Sequence, residues 1–287
     1  MIKTNGEYLP IQSVQGKIQH PALGSPYQVG RDGIGRVLTP SCGIIYNAKL
    51  GDNCMKWVAD HLEPGVSVQN EKTEENEALN HFACIGNEAA MVTGEAKAAK
   101  GFVTGKHGGI NNVLAYFPHS DLLKMAVGDS VLIRAVGQGL VIDGFPDVFC
   151  CNIAPDLLCE IGIEEKNNML EIPVAFEIPP ELTGSGIGSL TSCSGDFDIT
   201  TGDPRAVESL NLQELRFGDI ILLKDLDSSY GHEYRKGAVT IGVVVHGDSA
   251  DMGHGPGVTA IMSCANGRIK GRATRDANIA SCLLNIS

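Results

Sequence analysis

Residues 237–263 read GAVTIGVVVHGDSADMGHGPGVTAIMS: a strand-sized apolar run, a glycine-rich loop carrying His246, Asp248, Asp251 and His254, and a second apolar run. Runs of this length, bounded by glycine, predict strand, loop and strand. If the first strand continues to its end, His246 and Asp248, two positions apart, project to the same face. The stretch sets the expectation for the whole chain, a β-rich protein with its polar chemistry where strands end.

Working outward, MAVGDSVLIRA (125–135) and LRFGDIILLKD (215–225) echo one another, each placing Gly-Asp before a short apolar strand. LEIPVAFEIPP (170–180) reads as a further strand that ends at Pro179 and Pro180, because proline cannot donate to a ladder. Two stretches read as helix: NCMKWVADH (53–61), capped by Asn53 and stopped before Pro64, and the acidic EKTEENEALNHF (71–82). With 35 glycines, 13 prolines and only 5% aromatic residues, tight turns and short strands dominate. The predicted class is α+β, mainly β, as two interlocked β-barrel-like halves with short peripheral helices. Residues 1–165 form the N-terminal half and 166–287 the C-terminal half, which carries the HGDS and GHGPG motifs.

Composition narrows the partners. A 43% hydrophobic chain of 287 residues can close a core unaided. A net charge of −12 argues against nucleic acid or an anionic membrane surface as the main partner. No apolar run approaches the length needed to span a bilayer, and the first ten residues lack a secretory pattern, so a cytoplasmic location is expected. Nine cysteines scattered through apolar contexts fit reduced buried thiols.

Three groups of residues stand out as candidates. His246, Asp248 and His254 form a reasonable ligand set for a divalent metal ion, zinc or similar. Asp225 and Asp227, again two apart, would place two carboxylates on one face, with His232 in the following hairpin; these are the candidate catalytic residues. Antiparallel pairing would carry that acidic pair to the opposite end of the sheet from His246. The long serine- and glycine-rich segment 184–203 supplies Ser185, Asp196 and Asp198, and the Lys-His-Gly-Gly sequence supplies His107, as candidate substrate-binding residues.

The motifs IGNEA-x-x-V-x-G, AKG-x-VTGKHGG, GSGIGS, SGDFDI, KDLDSSYG, Y-x-x-GA, IGVVVHGDS and GHGPGVT together resemble a bacterial and archaeal family catalogued as a domain of unknown function, its two halves held as separate domains. The resemblance spans nearly the whole chain and departs at AKAAKG (96–101), where the family more often has a central glycine. It implies a β-rich fold and no settled activity. FGDIILLKDLDSSYGHE (217–233) is distantly similar to acetamidases and formamidases, β-rich proteins in which Gly-Asp strands lead into acidic metal loops. The expected function is a metal-dependent hydrolase acting on a small polar, amide-like metabolite, in a homo-oligomer. The competing expectation is a non-catalytic small-molecule-binding or self-assembling protein.

Overall fold

The backbone of the computed structural model, described for residues 2–21, 27–37, 42–186, 188–189 and 191–284, is mainly β. Its first half is a six-stranded antiparallel barrel built from β1 (Gln12–Ile18), β2 (Gly65–Gln69), β3 (Glu88–Met91), β4 (Lys100–His107), β5 (Asn112–Tyr116) and β6 (Ser130–Ala135). The order β1-β6-β3-β4-β5-β2 closes on itself through Lys17 opposite Gln69 and Ile18 opposite Val68. Alternation along β6 shows the logic of the wall: Val131, Ile133 and Ala135 are buried while Arg134 faces solvent. The interior is filled by Val66, Val68, Val103, Val113, Val131 and Ile133. The acidic segment forms the helix Thr73–Phe82, burying Leu79 and exposing its glutamates.

The second half is an open sheet of β7 (Phe149–Cys150), β8 (Phe176–Ile178), β9 (Phe197–Asp198), β10 (Ile220–Asp227), β11 (Glu233–Val244) and β12 (Gly257–Cys264). Its order is β7-β12-β11-β10-β8, with β9 also paired to β12. All eight residues of β12 are buried. That is the signature of a strand covered on both faces, and the barrel supplies one cover. Thr259 of β12 accepts the Lys106 amide of β4 at 3.0 Å and donates back to the Lys106 carbonyl at 3.0 Å. The two halves therefore meet along β4 and β12.

Several expectations need correcting. Only the N-terminal half closes into a barrel among the described residues; the C-terminal sheet stays open. Residues 53–61 form turns, not a helix. Asn53 spends its side chain on the Met55 amide, its carbonyl accepts Trp57 Nε1, and His61 takes a left-handed φ of 48°. The shared face of Asp225 and Asp227 is lost to a β-bulge between Lys224 and Leu226, with Asp225 at φ 54°. The strand Glu233–Val244 stops two residues before His246, so alternation no longer relates His246 to Asp248.

The Gly-Asp echo is real at the backbone. Gly128 and Gly218 have φ of 88° and 87°, and Asp129 and Asp219 each accept the amide three residues earlier at 2.9 Å. The strands that follow go to unrelated sheets.

Candidate functional site

Where the halves meet, four histidines and two aspartates converge. His61 lies in the turn before β2, His107 ends β4, Asp196 precedes and Asp198 ends β9, and His246 and His254 sit in the loop between β11 and β12. The His107 and His246 rings are 4.3 Å apart between centroids, and His61 is 5.0 Å from His246 and 5.1 Å from His254. Pairing of Asp198 with Gly257 holds β9 against the start of β12. The glycine matters here, since any Cβ at Gly257 would overlap His246 Nε2 and Asp196 Oδ2.

Asp198 is the hub. Its Oδ2 lies 2.6 Å from His254 Nδ1 and 3.8 Å from His61 Nε2, while Oδ1 lies 3.4 Å from His246 Nε2. His61 Nε2 and His254 Nδ1 are 3.1 Å apart. Asp196 accepts the Gly108 amide on Oδ1 at 2.6 Å, leaving Oδ2 at 2.9 Å from His246 Nε2. That last contact lacks hydrogen-bond geometry, and both atoms are buried without a partner.

Three of the four imidazoles are oriented from behind. Gly247 O lies 2.9 Å from His246 Nδ1, closer than the Gly257 amide at 3.2 Å. The Gly257 amide donates to Nδ1, and both contacts hold the ring with Nε2 turned toward the cluster. Asp60 holds His61 Nδ1 at 2.8 Å and is itself fixed by the Ser249 hydroxyl at 2.8 Å. The fully buried Glu63 holds His107 Nδ1 and also accepts from Ser67 and Asn112. Such carboxylate–imidazole pairs set tautomer and ring direction.

Electrostatically the cluster demands positive charge. Burial opposes a charge on His246, yet Asp196 and Asp198 hold its pKa well above the ordinary value. Burial likewise opposes protonation of His61, and Asp198 and Asp60 raise its pKa to about 9. Asp198 is drawn far below the carboxylate range despite its burial, by His246, His254 and His61. Protons can supply that charge, and so can cations bound among the same atoms.

The structure brings together His107, Asp196, Asp198, His246 and His254 from the sequence candidates. Asp248 is not among the converging donors: its carboxylate accepts from Thr201 Oγ1 at 2.6 Å and lies 4.0 Å from Arg31. Asp225 accepts the Gly237 amide at 2.6 Å, and Asp227 takes Ser229 and Ser263, both at the far end of the β10–β11 pair from His246. Ser185 and His232 line a separate open cavity of about 1320 Å³ with the helix Thr73–Phe82, and none of the six clustered residues lines it. Sequence reading missed His61, Asp60 and Glu63. The available signal was Asp-His-Leu-Glu just ahead of a strand, hidden by assigning those residues to a helix.

The comparisons agree with this architecture. A family model described as domain of unknown function (DUF4438), N-terminal, matches residues 27–159, and the corresponding C-terminal model matches residues 160–283. A solved structure titled "Crystal structure of TM1086" is similar, with 46% identity and a TM-score of 0.93 over 98% of this chain and 99% of that one. Among curated proteins there is no match.

Proposed function

This chain belongs to the DUF4438 family, and from that premise we propose that it is a metal-dependent hydrolase acting on a small polar substrate with an amide or related bond. One observation carries the metal: His246 Nε2 and Asp196 Oδ2, both buried, face each other at 2.9 Å with no hydrogen bond between or around them. A buried imidazole nitrogen and a buried carboxylate oxygen that meet at 2.9 Å outside hydrogen-bond geometry are costly unless a cation or proton lies between them. Mixed imidazole and carboxylate donors suit zinc and its borderline neighbours.

A cation held by Asp196, Asp198 and His246 would supply Lewis acidity, lowering the pKa of a bound water toward about 7 and polarising a carbonyl. Water then adds to the carbonyl carbon, the carbon–nitrogen bond breaks, and the departing nitrogen takes up the proton that the water gave. His107, with Nδ1 committed to Glu63, has only Nε2 left to carry that proton. The His254 side chain is 35% exposed while His246 is fully buried, so substrate would approach past His254. Cysteines buried in apolar surroundings, Cys54, Cys84, Cys150 and Cys151 among them, accord with a reducing compartment.

Metal analysis of protein purified without chelator, followed by a panel of small primary and cyclic amides, tests the proposal. Bound metal and turnover in wild type, with the turnover and the tighter metal lost in His246→Ala while the fold is retained, support it. Wild type free of metal after incubation with zinc, manganese or cobalt would overturn it.

A further inference from the structure

We infer that the cluster holds two divalent cations, not one, with Asp198 as the carboxylate they share. This rests on the metal part of the proposed function and on none of its hydrolytic part.

The donors fall into two trios with one member in common: Asp196, Asp198 and His246, and His61, Asp198 and His254, the ligand atoms of each lying within 4.8 Å of one another. The division runs through Asp198 itself. Its Oδ1 faces His246, and its Oδ2 faces His61 and His254. A cation on one oxygen would leave the other trio with protons alone, whereas one on each uses all five residues of the two trios. Carboxylates that span neighbouring ions in this way are a recurrent feature of two-metal hydrolytic sites.

An independent observation points to a ligand at the inner trio. His246 is 0% exposed and Asp196 4%, and His246 Nε2 and Asp196 Oδ2 are aimed at one another without any partner. Gly257 leaves bare the space that a Cβ would otherwise fill against those two atoms. At the outer trio, Asp60 behind His61 Nδ1 leaves Nε2 for the cluster, 3.1 Å from His254 Nδ1. The trios differ in depth, because the His61 and His254 side chains are 12% and 35% exposed. The inner ion is therefore the retained one and the outer ion exchanges with solvent. Two dications against Asp196 and Asp198 leave a net charge of +2, which favours a bridging hydroxide and a substrate with a carbonyl or carboxylate oxygen.

Metal-stripped protein titrated with Zn2+ by calorimetry, and with Co2+ by visible absorption, reads the count directly. Two equivalents of unequal affinity per chain are expected. His254→Ala should keep one, with the cobalt spectrum of the inner ion, and His246→Ala should keep only the weaker one. Circular dichroism melts guard against misfolding. A single equivalent in wild type that His254→Ala leaves unchanged would overturn the second ion while leaving a one-metal hydrolase intact. No binding by folded wild type would sink both ideas. Two ions with no amide turnover would uphold the pair of sites and remove only the hydrolase.

Discussion

Gly257 stands against His246 at the one point of β12 where a side chain has no room: a Cβ there would overlap His246 Nε2 and reach Asp196 Oδ2 as well. Its φ is not left-handed, so alanine meets no backbone penalty and its effect would be steric and local. Gly257→Ala is expected to abolish the tighter metal equivalent while leaving the circular dichroism spectrum native. Metal content of the purified variant checks this, and wild-type content would refute a site over Gly257.

Asp60 and Asp248 both touch His61, the first through its carboxylate and the second through its backbone carbonyl, and their carboxylates have different duties. Asp60 orients His61, whereas Asp248 is spent on Thr201 and faces Arg31. Asp60→Asn should weaken the looser equivalent by about 10–100-fold, the usual effect of losing a carboxylate behind a ligating histidine. Asp248→Asn should leave both equivalents in place. Calorimetric titration of the two variants side by side decides between these assignments, and equal losses in both would contradict them.

Much of this was legible from residues and some was not. The strand–loop–strand of 237–263 appears as β11, a loop and β12, because apolar runs of strand length between glycines have few other ways to bury themselves. His107, Asp196 and Asp198 could be singled out by their glycine-rich surroundings. Their convergence could not, since it depends on β4 docking on β12 through Thr259, a contact 153 residues apart in the chain. Asp225 and Asp227 failed for a local reason: one bulged residue cancels period-two alternation, and nothing in KDLDSS announces it. Asp248 failed because β11 ended early.

Lys106 lies wholly inside the protein, its ammonium donating to Asn152 Oδ1 at 2.6 Å and Cys193 O at 2.5 Å. Asn152 is held in turn by the Ser192 and Ala260 carbonyls, so it cannot turn to find another partner. Lys106→Met keeps the volume and orphans both acceptors, at an expected cost of about 2–4 kcal/mol from the usual penalty per buried unsatisfied group. Urea unfolding measures it. A variant as stable as wild type would mean the ammonium's own burial cost cancels its hydrogen bonds.

Asp227 has a structural role with a pH signature. Burial alone would raise its pKa, but the Ser229 amide and hydroxyl, the Ser263 hydroxyl and Arg235 more than offset that and hold it below the ordinary carboxylate value. A depressed carboxylate contributes stability that is present above the unfolded value of about 3.9 and is lost as pH falls through the folded one. Asp227→Asn should therefore cost about 1–2 kcal/mol at pH 7, the scale of hydrogen bonds to a charged group. The gap to wild type should narrow as pH falls below the ordinary carboxylate value, with metal content unchanged. A gap that is constant with pH would show that the charge is not involved.

His61 and His254 are 193 residues apart in the chain and 3.1 Å apart at their ring nitrogens. An ion gripped by both would act as a clasp across about two thirds of the polypeptide, and closing so long a loop removes more freedom from the unfolded chain than any local contact can. Chelation would then do more than silence a reaction: it would lower the stability of a chain that keeps its fold and leave it open to proteases more often. In a cell, the supply of free metal would set how long each molecule survives as well as how fast it works.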